Sequence, residues 1–307
     1  MPFLNFNSAT PLLKLTITLL TMVTIGIIVW FLGFLLSRIF FCIDVETSNQ
    51  LLHGATSNLS TGQLKYYQIV QSVGFFLIPG FFLQWLFSTP EKPYFSIRRK
   101  PYLASVLVVF ALILLAVPFI NFLVEYNKTI GFPDYLSSLE TRLKQMENAA
   151  QSLTQQFLIA DNFSTYIVNL LMIAIIPAIG EEFIFRGVFQ KIFFNISKNT
   201  TMAIVLTAIV FSAVHGQFYG FIPRFFLGLL FGYLMFWSGN IWLPVLAHFI
   251  HNAIVVTYFY LHSSGIIALN QESTSQLLSG WVLALISFVF IITLAVVIRR
   301  IEGQKSG

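Results

Sequence analysis

The chain has 307 residues, of which 57% are hydrophobic and 9% charged, against roughly 25% charged in an ordinary soluble domain. That balance excludes a soluble globular class and points to a membrane protein: about 175 apolar residues would supply about eight spanning helices of about 20 residues each. The net charge of +5 lies in short tracts beside apolar runs, where it orients a membrane protein, so the expected partner is the lipid bilayer and not nucleic acid. A single cysteine, Cys42, excludes an intramolecular disulfide and a thiolate zinc cluster.

In chain order, the first apolar run, from Leu12 to Phe41, is too long for a signal h-region and has no small-residue cleavage site, so it is expected to stay attached as a helix. Apolar runs bounded by Gly, Pro and charge predict spans near 12–37, 66–87, 102–124, 163–190, 201–217, 223–238, 241–261 and 278–298. The implied fold is all-α, a polytopic membrane bundle of about eight helices. Alternating the loops puts Lys92, Arg98, Arg99 and Lys100, then Lys191 and Lys198, then Arg299, Arg300 and Lys305 on one side. By the positive-inside rule that side is cytoplasmic and holds both termini. Lys65, Lys128, Arg142 and Lys144 fall on the other side, among acidic residues.

Between Glu125 and Asp161, Leu136, Leu139, Leu143, Met146, Ala150, Leu153 and Phe157 recur at steps of three and four, an apolar helical face. This predicts an amphipathic helix near 135–157, lying on the outer interface or packed over the bundle. Asn58-Leu59-Ser60 matches a glycosylation acceptor, a weak three-residue pattern. The organisation expected is N-terminal spanning helices with the amphipathic helix over 1–160, a chemically distinctive core over 161–262, and a last span with a basic tail over 263–307.

In that core, polar residues interrupt apolar helices. The stretch Pro177 to Gly187 contains Glu181, Glu182 and Arg186, and a charge at the centre of a spanning helix costs about 2.5 to 3.5 kcal/mol unless it is paired or meets water. Glu182 and Arg186, four apart, share a face in the favourable order for an ion pair. Glu181 is rotated about 100° from Glu182, which leaves it free for chemistry. His215 stands in a helix with no other ionisable residue, and His248 and Asn252 project from one face of another. At 1.5 Å per residue these side chains could meet at one level, in the half of the bilayer nearer the basic loops, with access from the cytoplasmic side.

A carboxylate, two imidazoles and an amide meeting inside a bilayer are the parts of an amide hydrolase. Glu181 would take a proton from water, His215 would share that water, and His248 with the Asn252 amide would supply donors to the oxyanion. The alternative of another class is a polar network that only ties helices together, as in a non-catalytic scaffold or self-immunity protein.

The three motifs, Glu181-Glu182 with Arg186, Phe211 with His215, and His248 with Asn252, occur in the order found in CPBP proteins, the CAAX-protease and bacteriocin-processing (abortive infection) family, and residues 163 to 260 resemble that family. The resemblance implies an eight-helix intramembrane endopeptidase. It carries the catalytic glutamate to Glu181, its partner histidine to His215 and the oxyanion pair to His248 and Asn252, with Glu182 and Arg186 supporting. Eukaryotic relatives remove the last three residues of prenylated CAAX proteins, so the implied substrate is a membrane-associated or prenylated protein or peptide. The chain looks bacterial, which implies the cytoplasmic membrane. A zinc ion on Glu181, His215 and His248 is the competing version of the site. Without an H-E-x-x-H helix, glutamate-activated water with no cofactor is favoured.

Overall fold

A computed structural model describes residues 6–41, 59–89, 91–160, 162–267 and 280–303. Cys42, Asn58, Asp161 and Lys305 lie outside the described residues. Among the described residues there are nine helices longer than one turn and no strand: α1 (Pro11–Phe40), α2 (Thr61–Phe87), α3 (Leu103–Lys128), α4 (Ser137–Leu158), α5 (Phe163–Ser197), α6 (Thr200–Ala213), α7 (Phe221–Ser238), α8 (Trp242–Ser263) and α9 (Gly280–Gly303). Seven of these, all but α4 and α6, are long and apolar enough to cross a membrane, so this is an integral membrane bundle.

The span expected over 201–217 is shorter than its apolar run suggests. Helix α6 stops at Ala213, about 21 Å of rise against a hydrocarbon core of about 30 Å. It stops because Gly216 takes a left-handed φ of 64°, which breaks the helix just after His215. His215 therefore sits in a turn beyond the helix end.

Helices α2 and α5 share an irregularity. Each contains π-helical turns, Val73–Leu77 in α2 and Leu170–Ile175 and Phe183–Phe189 in α5. The first two of these each precede a proline, Pro79 or Pro177, whose missing N–H breaks the regular ladder. The helices meet where both are irregular. A Cβ built on Gly180 would stand 2.9 Å from the backbone nitrogen of Leu77, and one on Gly80 2.9 Å from Cβ of Phe183. The residue before Glu181 is thus a glycine because the backbone of α2 occupies the space of a side chain.

Around that crossing one apolar core gathers Leu83, Phe87, Phe95, Phe183, Phe185, Phe211 and Val245. A second core, Val109, Leu112, Phe231, Leu243, Ile250 and Ile291, joins α3, α7, α8 and α9. The amphipathic helix α4 contacts α2, α8 and the 3-10 turn Phe218–Gly220. Leu139 and Met146 of its apolar stripe remain exposed.

Two sets of contacts mark opposite ends of the bundle. At one, Arg99 lies against the Gly239 turn and Ser105 donates to Glu302. At the other, Asn127, near the far end of α3, donates to the Phe218 carbonyl and accepts from the Ile222 N–H.

The close approach at Gly180 predicts that Gly180→Ala costs about 1–3 kcal/mol in overpacking, whereas Gly131→Ala, with nothing within 4 Å of its Cβ position, is silent. Thermal unfolding in detergent checks the pair; equal midpoints would show that α2 yields.

Candidate active site

Glu182 is fully buried and holds two partners on one oxygen. Arg186 Nη1 donates to Oε1 at 2.9 Å, and His248 Nδ1 lies 2.8 Å from the same Oε1. The pairing expected from the four-residue spacing is present, and the structure adds the imidazole from α8. Arg186 is 1% exposed. Its Nη2 donates to the Gly228 carbonyl at 3.2 Å, and its guanidinium stacks 4.5 Å from the Phe211 ring centroid. Gln190, one turn on, donates to the Gly232 carbonyl at 3.1 Å. Gly228 and Gly232 pack against Ala208 and Ile204 of α6, and their carbonyls accept from α5. Helix α7 is thereby bonded to α5 through bare backbone.

Nδ1–H of His248, donating to Glu182, fixes the ring, which also stacks on Phe231 at 5.3 Å between centroids. In the neutral ring Nε2 is then an acceptor; only the imidazolium donates from both nitrogens. His215 is held in the same way. Its Nδ1 lies 2.8 Å from the Phe211 carbonyl, and a carbonyl can only accept, so the neutral ring presents the Nε2 lone pair. Unlike His248, His215 is exposed.

Asn252 is more engaged than an oxyanion donor with a free amide would be. Its Nδ2 donates to the Ile173 carbonyl at 2.9 Å. That carbonyl lies four residues before Pro177, which has no N–H to offer it. Asn252 therefore ties α8 to the kink of α5 and keeps one amide hydrogen for other work.

Glu181 is half-buried, and its buried Oε2 has no hydrogen-bond partner among the described residues. It interacts electrostatically with His215, Arg224 and Arg186. His215 also interacts with His248, so Glu181, His215 and His248 form one electrostatic cluster, with Asn252 one turn beyond His248.

Arg224 lies near the start of α7, beside Pro223. It is partly buried, bonds Gln217 through Nη2, and lies between Glu181 and Glu147 in electrostatic terms. Glu147 belongs to α4, is 6% exposed and accepts from Gln151 and Gln217. Spacing along the chain does not reveal this run of polar groups, beyond an acidic residue next to the apolar stripe of α4. It leads from Glu181 toward the Asn127 end of the bundle. His215 lies in the turn beyond the end of α6, two residues before Gln217.

Among the described residues no three His, Cys, Asp or Glu side chains are grouped so as to hold a metal ion.

The family comparison matches the part of the chain that carries the three motifs. Residues 163–254 match the family described as Type II CAAX prenyl endopeptidase Rce1-like. The membrane-embedded CAAX protease MroQ of Staphylococcus aureus (strain USA300) is 27% identical over 115 residues, which cover 36% of this chain and 44% of that protein. The match therefore spans less than half the length of that relative. No solved structure matches the chain. The similarity to CAAX-type proteases thus covers residues 163–254, the segment that holds the three motifs.

Removing the charge of Glu182 would leave a buried guanidinium and its neighbouring imidazole without their carboxylate. Glu182→Gln is expected to destabilise by about 3–5 kcal/mol, the cost of orphaning a buried pair. Glu181→Gln, which breaks no hydrogen bond to Oε2, should unfold within about 1 kcal/mol of wild type. Thermal unfolding of the purified variants separates the two glutamates.

Proposed function

We propose that this membrane protein is an intramembrane endopeptidase in which Glu181 and the Nε2 of His215 activate water to attack a peptide bond. The observation that carries this reading is the contrast between two adjacent carboxylates. Glu182 is held through Oε1 by Arg186 and His248, while among the described residues no hydrogen bond or ion pair holds Glu181, which is half-buried and within electrostatic reach of an exposed imidazole with a fixed tautomer. A network that served only to tie helices would gain nothing from an unpaired carboxylate in a bilayer.

In the proposed reaction, water lies between Glu181 and His215. One of them takes its proton as the oxygen adds to the carbonyl carbon, and the proton then passes to the leaving amine. The oxyanion is stabilised by the remaining Asn252 N–H and by His248 as the imidazolium, whose charge Glu182 balances. Glu182 and Arg186 are thus positioning residues, acting through His248. Substrate enters beneath α4, along the side marked by Gln217 and Arg224. The substrate is a membrane-associated or lipidated protein or peptide, as the resemblance of residues 163–254 to prenyl endopeptidases supports, and the host membrane is the bacterial cytoplasmic membrane.

Glu181→Gln should lower cleavage by about 10²–10⁴-fold, the range for loss of a general base, with the unfolding midpoint retained. The test compares peptide termini in membrane proteomes of cells carrying wild type and Glu181→Gln at equal expression. Termini that depend on Glu181 support the protease; identical termini would refute it and leave a scaffold. His215→Asn should give the same termini as Glu181→Gln, and full activity in His215→Asn would remove that imidazole from the mechanism.

A further inference from the structure

On the far side of Arg186 from Glu181 lies a cavity of about 530 Å³, unused by the proposed reaction. Its walls come from the loop between α2 and α3, from α5, and from the ends of α6 and α7. Two features set it apart from a packing defect. First, three of its lining residues are more than nine-tenths buried and carry polar atoms with no hydrogen-bond partner among the described residues: the Tyr94 hydroxyl, Arg186 Nε and Gln190 Oε1. Buried polar atoms are ordinarily satisfied, so such a group calls for a partner.

Second, the cavity is positively charged. Lys92 and Lys191 line it, and Lys191 interacts repulsively with both Lys92 and Lys14. Lys14 and Lys191 lie 5.2 and 4.1 Å from the Tyr94 ring centroid and donate to backbone carbonyls of Asn7 and Tyr94. Among the described residues no carboxylate lies within 4.0 Å of any of the three lysines. The ammonium groups of Lys92 and Lys191 belong to the lining, together with Gln190 and the Tyr94 hydroxyl, which burial pushes up from its ordinary range so that it stays a donor. The rest of the wall is apolar, with Phe95, Phe194, Met235 and Phe236.

Donors and cations at one part of a cavity whose remaining wall is apolar match an anionic amphiphile. We propose that this cavity binds an anionic phospholipid of the surrounding membrane. Its phosphate contacts Lys92, Lys191 and the Tyr94 hydroxyl, and its acyl chain runs along Phe194 and Phe236. The volume accommodates a headgroup and the first part of a chain, within the roughly 300–1,000 Å³ of ordinary ligand sites. Juxtamembrane basic pockets between helices favour such headgroups. The occupant would touch Arg186, the residue that holds Glu182 and through it His248, so binding would stiffen the site from behind.

The test does not depend on protease activity. Full-length protein in detergent is titrated with phosphatidylglycerol, with phosphatidylcholine of the same chains, or with inorganic phosphate, while thermal unfolding and lipid retention by native mass spectrometry are followed. The expected result is stabilisation and retention with phosphatidylglycerol, and neither with phosphatidylcholine nor with phosphate. Lys92 is exposed, so Lys92→Glu should fold normally and weaken phosphatidylglycerol binding about tenfold, the loss of one charge-assisted contact. Equal shifts with both lipids, an equal shift with inorganic phosphate, or unchanged binding by Lys92→Glu would each overturn the proposal. Failure here leaves the protease reading standing, because Glu181 and His215 are not probed.

Discussion

Everything around the site depends on one buried carboxylate, Glu182, sharing an oxygen between a guanidinium and an imidazole. Charges removed from water cost several kcal/mol each unless matched, so α5, α7 and α8 must keep the register that satisfies them. Arg186 reaches the Gly228 carbonyl as well as Glu182, and it can do so only because a glycine lets α6 and α7 approach closely. The ion pair and the small residues are therefore one device: charge demands the register, and missing side chains permit it.

The same device divides labour between neighbours in sequence. Glu181 and Glu182 differ by one position, yet Glu182 takes two partners on Oε1 while no hydrogen bond holds Glu181 among the described residues. The difference comes from the roughly 100° between successive helical side chains. With Gly180 pressed against the backbone of Leu77, α5 has little freedom to rotate and exchange the two roles. Pro177 contributes by leaving the Ile173 carbonyl for Asn252, which joins α8 to the same bend.

Much of this was legible in the sequence where it depends on local spacing. The helical class followed from composition and the Glu182–Arg186 pair from a four-residue separation. What spacing along one helix cannot reveal is which neighbour faces it. That His248 would share Glu182, that Asn252 would be drawn to Ile173, and that Arg224 would turn inward to Gln217 are all contacts between helices. The length of α6 was misjudged for a different reason: hydrophobicity continues through Val214, while the helix is ended by the left-handed turn at Gly216. Apolar runs report what lipid or core tolerates, and backbone turns report where a helix stops.

The placement of unpartnered polar atoms gives the bundle a functional polarity. Buried polar atoms without a partner among the described residues include Oε2 of Glu181, Glu182 and Glu147 and Nη1 of Arg224, and, in the lining of the basic cavity, Gln190 Oε1, the Tyr94 hydroxyl and Nε of Arg186 itself. Buried polar groups are rarely left unsatisfied by accident, and three of these border one cavity. A side chain bonded to Glu182 and Gly228 while bordering two polar regions couples them mechanically, because any shift of its plane alters Glu182 and hence the ring of His248. Arg186 is thus better regarded as the wall between a reactive chamber and a basic cavity than as a simple counter-ion.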